Sequence, residues 1–154
     1  STYPNTSLKV PAFHGTFESA APTAAGISYV LKLQGKDDIS VVAFAGDGGT
    51  FDIGLQALSG TVDRNEHYIY VCLDNEAYMN TGIQASSATP ECAWTITTPS
   101  GRPFRKKNIM EIMAAHRIPY AATASIGYAQ DLMDKVKKAS NIQGTKFLHI
   151  LSMY

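Results

Sequence analysis

An α/β fold, with a mostly parallel sheet and helices on both faces, is what this sequence predicts. Three observations carry the expectation. Short apolar runs rich in Val, Ile and aromatic residues alternate with stretches of helical periodicity, as in βαβ units. The runs "ISVVAFAG" and "YIYVCLD" are continuous rather than alternating, as expected of strands covered on both faces. The conspicuous polar clusters, "GDGG" and "DNEAYMNTG", sit just past the carboxyl ends of those two runs, where open α/β sheets bind ligands.

Taken in chain order, residues 17–33 ("FESAAPTAAGISYVLKL") read as a helix of small residues. Ile27, Val30, Leu31 and Leu33 supply its apolar side, and the alanines with Gly26 admit a close neighbour. Pro22 marks either a late start or a kink. Ile39 to Gly46 is the first strand, and Ile53, Leu55 and Leu58 recur at helical spacing after it. Tyr68 to Asp74 is the second strand. The stretch from Asn75 to Gly101 carries no periodic signal and exceeds the usual ceiling of about 12–15 residues for a structureless connection, which favours a functional loop. "KKNIMEIMAAHR" then reads as a helix, "PYAATASI" as a strand, "GYAQDLMDKVKKAS" as a helix and "KFLHILS" as a last strand.

At 154 residues the chain is expected to form a single domain spanning 1–154, large enough to bury a core without staples. The formal net charge is zero, so no general nucleic-acid grip or polybasic membrane contact is indicated. No apolar stretch reaches the ~18 residues of a membrane span. Cys72 and Cys92 are too few for a disulfide framework and fit a reducing, cytoplasmic compartment. "NTS" at Asn5 matches a glycosylation sequon, read here as chance. The chain opens without an initiator methionine and stops at an apolar strand, so a piece of a longer polypeptide, cut at both ends, is expected.

The chemistry is read from "GDGG". It lacks the last glycine of a dinucleotide fingerprint and the Lys-Ser/Thr of a Walker loop. A plain tight turn accounts for the string alone. The functional alternative places Gly48 and Gly49 at a strand–helix junction, with backbone N–H groups open to an anion. Asp47 would repel a phosphate directly, and makes sense with a cation between them. Magnesium suits, being hard, octahedral and content with one or two protein oxygens beside phosphate and water. Asn75 lies 28 positions beyond Asp47, at the next strand tip. Its amide oxygen, with the Ala77 carbonyl, would complete the protein's share of the ligands. Alone, Asn75 reads equally well as a turn residue.

Gly46–Asp47–Gly48 followed at this distance by Asp74–Asn75 resembles the motif of thiamin-diphosphate-binding proteins. The longer wording "GDGGTFDIGLQALSG" with "DNEAYMNTGIQASSATP", extended by "KVPAFHGTFESAA", "WTITTPSG" and "YAATASIG", closely resembles the beta subunits of 2-oxoacid:ferredoxin oxidoreductases, most of all the pyruvate-using ones. The resemblance implies a thiamin-diphosphate-binding fold. It implies magnesium held by Asp47, Asn75 and the Ala77 carbonyl, and diphosphate lined by Gly46, Gly48 and Gly49. Tyr78 would flank the cofactor, and Asn80, with Thr81 beside it, would face the thiazolium and the substrate as the catalytic side chain. Family members convert a 2-oxoacid and coenzyme A to acyl-CoA and carbon dioxide, with electrons passed to ferredoxin. They work as hetero-oligomers in which an alpha subunit or domain supplies the glutamate that activates the cofactor, so neither Glu18 nor Glu76 receives that role. The family's beta subunit also carries a [4Fe–4S] cluster whose four cysteines are absent here.

Other residues take plainer readings. His14 caps or packs, with a place near the cofactor as the alternative; His149 is structural; His67 and His116 are surface or helix-end residues. Arg105–Lys107 is a solvated helix start, with contact to coenzyme A phosphates or acidic ferredoxin as the alternative. Trp94 anchors the long loop. The competing functions are a non-catalytic assembly module of such a complex and another thiamin-dependent decarboxylase.

Overall fold

Side chains of neighbouring strand residues point to opposite faces, and this alternation builds two cores. The computed structural model describes residues 7–152. The Asn5 sequon and the final Met153–Tyr154 lie outside them. The strands are β1 (Val42–Gly46), β2 (Ile69–Asp74), β3 (Tyr120–Ser125) and β4 (Lys146–Leu151). They form one parallel sheet in the order β1-β2-β4-β3. The helices are α1 (Ala20–Leu33), α2 (Leu55–Asp63), α3 (Ile109–Ala115) and α4 (Ala129–Ser140). A 3-10 turn at Phe17–Ser19 precedes α1, and a π-helical turn at Gly48–Ile53 follows β1.

Tyr70, Cys72 and Phe147 enter one core, together with Ala21, Ala24 and Ala25 of α1, Leu58 and Val62 of α2, and Ile109 and Met113 of α3. Ile69, Val71, Leu148 and Ile150 enter the other, against Leu132 and Ala139 of α4. Helices thus cover both faces, as predicted. The two tyrosine hydroxyls buried in the first core are satisfied locally: Tyr68 by Thr61 at 2.7 Å and Tyr70 by Thr50 at 3.1 Å.

Two expectations are corrected. The buried side of α1 is Ala21, Ala24, Ala25 and Ser28, whereas Ile27, Val30 and Leu33 face outward. The helix lies so close to the first core that only small side chains fit between. Gly26 is on the open side, where an added Cβ would meet nothing within 4 Å. Pro22 falls in the first turn, where its missing N–H costs no helical bond, so no kink is needed. The second correction concerns β1, which is shorter than predicted and covered on one face only. Among the described residues α4 alone packs on the second face, over the β2–β4–β3 side of the sheet, and it leaves Val42 and Phe44 43% and 60% exposed.

Candidate functional site

Register places the site. Gly46 of β1 pairs with Leu73 of β2, so the residues that follow each strand leave the sheet at the same level. Asp47 is buried there. The Asn75 amide comes within 2.8 Å of the Ala77 carbonyl oxygen and 3.1 Å of Asp47 Oδ1. With its nitrogen inward, the amide would donate two hydrogen bonds at those distances. Only with the oxygen inward would three acceptors meet with no hydrogen between them, and a cation would then be needed to reconcile them. Adjacent ligands on an octahedral magnesium with bonds of ~2.1 Å stand about 3.0 Å apart, which the two distances bracket. The donor set, one carboxylate, one amide and one carbonyl, is the all-oxygen kind that magnesium takes.

The supports of this trio come from the long connection between β2 and α3. The Ser86 hydroxyl donates to Asp47 Oδ2, which leaves Oδ1 to face Asn75. Ser86 is fixed in turn by the Thr89 hydroxyl at 2.9 Å and by the Arg102 guanidinium, which bonds the Ser86 and Thr89 carbonyls. Next to Asn75, the buried Asp74 accepts from the Glu76 N–H at 2.8 Å, Lys106 Nζ at 2.7 Å and His149 Nε2 at 2.7 Å. The Tyr78 hydroxyl donates to Asp52 at 2.5 Å, and Ser87 N–H donates to the same oxygen at 3.1 Å. The glycines serve this packing. A Cβ on Gly48 would lie 2.2 Å from the Tyr78 ring, and one on Gly49 would lie 3.1 Å from the Phe17 carbonyl oxygen.

The sequence profile of the "thiamine pyrophosphate enzyme, C-terminal TPP binding domain" matches residues 1–150. The chain belongs to this family. It is 54% identical over 153 residues to the pyruvate synthase subunit PorB of Methanothermobacter thermautotrophicus, covering 96% of this chain and 53% of that protein. It is 48% identical over 160 residues to the ketoisovalerate oxidoreductase subunit VorB of Pyrococcus furiosus, covering 97% of this chain and 51% of that one. The chain therefore spans about half the length of these relatives. Among solved structures it resembles the 2-oxoglutarate:ferredoxin oxidoreductase from Magnetococcus marinus, determined with 2-oxoglutarate, coenzyme A and succinyl-CoA bound. There the TM-score is 0.81 at 28% identity, over 90% of this chain and 46% of that one. The resemblance to the beta subunits of 2-oxoacid:ferredoxin oxidoreductases stands.

Within this thiamine-pyrophosphate-binding domain the electrostatics are divided. Burial raises the Asp47 carboxyl above its usual range, against the Ser86 hydrogen bond and with the help of nearby Asp74. A cation at the oxygen trio would favour the charged form. Burial acts on Asp74 too, but the bonds from His149 and Lys106 outweigh it and hold that carboxyl low.

The structure brings Gly46, Asp47, Gly48, Gly49, Asn75, Ala77 and Tyr78 to one strand edge. Asn80 and Thr81 ride on the exposed turn beyond, which the Thr81 and Gln84 side chains close. Sequence reasoning missed Ser86, although it quoted "QASSATP", and it missed Asp52. It also misread the basic run. Only Arg105 is solvated; Lys106 is tied to Asp74 and Glu76, and Lys107 to the Phe51 carbonyl and Asp52. Trp94, 62% exposed, does not anchor its loop by burial. His67 is no plain surface residue: its Nδ1 accepts from the Gly144 N–H at 3.2 Å. His116 meets the Ser59 hydroxyl at 3.0 Å, and His14 is exposed.

Proposed function

We propose that this domain is the thiamin-diphosphate- and magnesium-binding part of a 2-oxoacid:ferredoxin oxidoreductase. Its reaction is the oxidative decarboxylation of pyruvate with coenzyme A to acetyl-CoA and carbon dioxide, ferredoxin being the electron acceptor. The observation that carries the reading is the approach of the Asn75 amide to Ala77 O and Asp47 Oδ1 at 2.8 and 3.1 Å. Asp47, Asn75 and the Ala77 carbonyl ligate the magnesium, and the metal secures the diphosphate against the backbone at Gly46, Gly48 and Gly49. Thiamin diphosphate supplies the carbanion stabilisation that decarboxylation needs. Tyr78 would flank it, and Asn80 and Thr81, on their exposed turn, would face the reacting end and the substrate. The activating glutamate comes from a partner alpha subunit, which makes the enzyme a hetero-oligomer. The [4Fe–4S] cluster belongs to the rest of the subunit, since Cys72 and Cys92 cannot supply four thiolates. We place the complex in the cytoplasm, a reducing compartment that suits the free thiols Cys72 and Cys92. Among the described residues no helix is long and apolar enough to cross a membrane.

Pyruvate is favoured over a branched-chain acid because the pyruvate synthase relative is 54% identical and the ketoisovalerate one 48%. Titration of thiamin diphosphate into the assembled complex, with and without magnesium, tests the binding. Asp47→Ala is expected to weaken it at least ~100-fold, and unchanged binding would refute the metal assignment. Rates with pyruvate and ketoisovalerate, compared in the same complex, test the substrate.

A further inference from the structure

We propose that Lys106 is a positioning residue for the Asn75–Ala77 metal arm: its ammonium ties the carboxylates on either side of Asn75 and so directs the amide and carbonyl oxygens at Asp47. The proposal rests on the metal reading above and extends it to a side chain that reading does not use. Lys106 Nζ lies 2.7 Å from Asp74 Oδ2 and 2.9 Å from Glu76 Oε1. The two anchors differ in kind. Asp74 is immobile, fully buried at a strand end and held by His149 and by the Glu76 N–H. Glu76 is the end that can move, since its side chain is 38% exposed. Its φ is +67°, a left-handed conformation that a non-glycine residue keeps only when its surroundings impose it. The ring Asp74–Glu76–Lys106 imposes it together with the Thr89 hydroxyl, which donates to the Glu76 carbonyl at 2.5 Å.

Without the lysine, Glu76 would keep only its backbone bonds to Asp74 and Thr89, and the peptide carrying Ala77 would be freer to turn. The effect is geometric rather than attractive, because an ammonium repels a divalent cation. The lysine itself is steadied by the Phe51 ring, 6.0 Å from Nζ to the centroid. It reaches the arm from 30 and 32 positions away in sequence, so the long connection closes back on its own beginning.

The test uses the full-length subunit in its complex, with Mn2+ binding in the presence of thiamin diphosphate read by electron paramagnetic resonance, and thermal stability measured in parallel. Lys106→Met is expected to weaken Mn2+ binding about tenfold, the usual scale for a residue that orients a ligand. Lys106→Arg, whose fork can also bridge two carboxylates, should restore most of it, and Glu76→Gln should give a smaller loss. His67→Gln, at the opposite end of the sheet, should leave Mn2+ affinity unchanged even where stability falls. Parent-like affinity in both Lys106→Met and Glu76→Gln, with Asp47→Ala still defective, would overturn the proposal and leave the metal reading standing. Parent-like affinity in Asp47→Ala would remove the metal reading itself, and this inference with it. Equal losses in Lys106→Met and His67→Gln would also overturn the proposal, as a stability effect. Should Lys106→Met not fold, Glu76→Gln decides, and unchanged affinity there refutes the clamp.

Discussion

Ser86 decides which oxygen of Asp47 is left for a cation. Its hydroxyl occupies Oδ2, and Oδ1 remains toward Asn75. Ser86→Ala should therefore weaken Mn2+ binding about tenfold and, by leaving a buried carboxylate oxygen without its donor, lower stability by about 1–3 kcal/mol. Metal titration and thermal unfolding of the intact subunit would check both. The contrast between Asp47 and Ser86 shows what the sequence made legible. Asp47, Asn75 and Ala77 follow apolar runs, and parallel pairing of neighbouring strands brings such positions together from spacing alone. Ser86 and Lys106 reach the site only because an irregular connection folds back over it, and no hydrophobic period encodes that path. A lysine pair ahead of a helix looks like any solvated helix start until the buried carboxylate beneath it is known.

Elements were legible in kind more than in placement. The four strands and the helices between them follow their apolar patterns, yet β4, last in the chain, lies between β2 and β3. Sequence order carries no signal for that insertion. For α1, both sides of the helix are apolar, so periodicity could not choose the face, and bulk pointed the wrong way. The π-helical turn has its own requirement at Gly54, where a Cβ would stand 2.0 Å from the Gly49 carbonyl oxygen. Gly54→Ala cannot be accommodated without moving backbone; a loss of about 3 kcal/mol is expected, together with weakened thiamin diphosphate binding, by calorimetry. At the far end of β4, Lys146 is buried with Nζ 3.3 Å from His67 Nδ1. Burial pushes this lysine down to about 8. The fold prefers it neutral, so its contribution is full above the unfolded pKa of ~10.4 and is lost as pH falls through about 8. Stability should rise from about pH 8 to about 9, where the buried Cys72 thiol, pushed up to about 12, begins to oppose it, and Lys146→Met should flatten that rise in thermal unfolding. Tyr68, raised to about 12 by burial, opposes it only at higher pH.

On the scale of the whole molecule, a formally neutral chain presents broad apolar surface, including Val42 and Phe44 on β1. β1 is also the end of the sheet, with no further strand beside it among the described residues. Its five residues, "VAFAG", contain neither charge nor proline. An unpaired strand of this composition can template a copy of itself. Separated from whatever covers it, the chain is expected to grow fibrils through that strand, with thioflavin fluorescence rising on concentration. Phe44→Lys, which sets a charge in the growing ladder, should suppress the signal several-fold without touching Asp47, Asn75 or Ala77. The strand that leads into Asp47 is thus also the segment expected to nucleate fibrils.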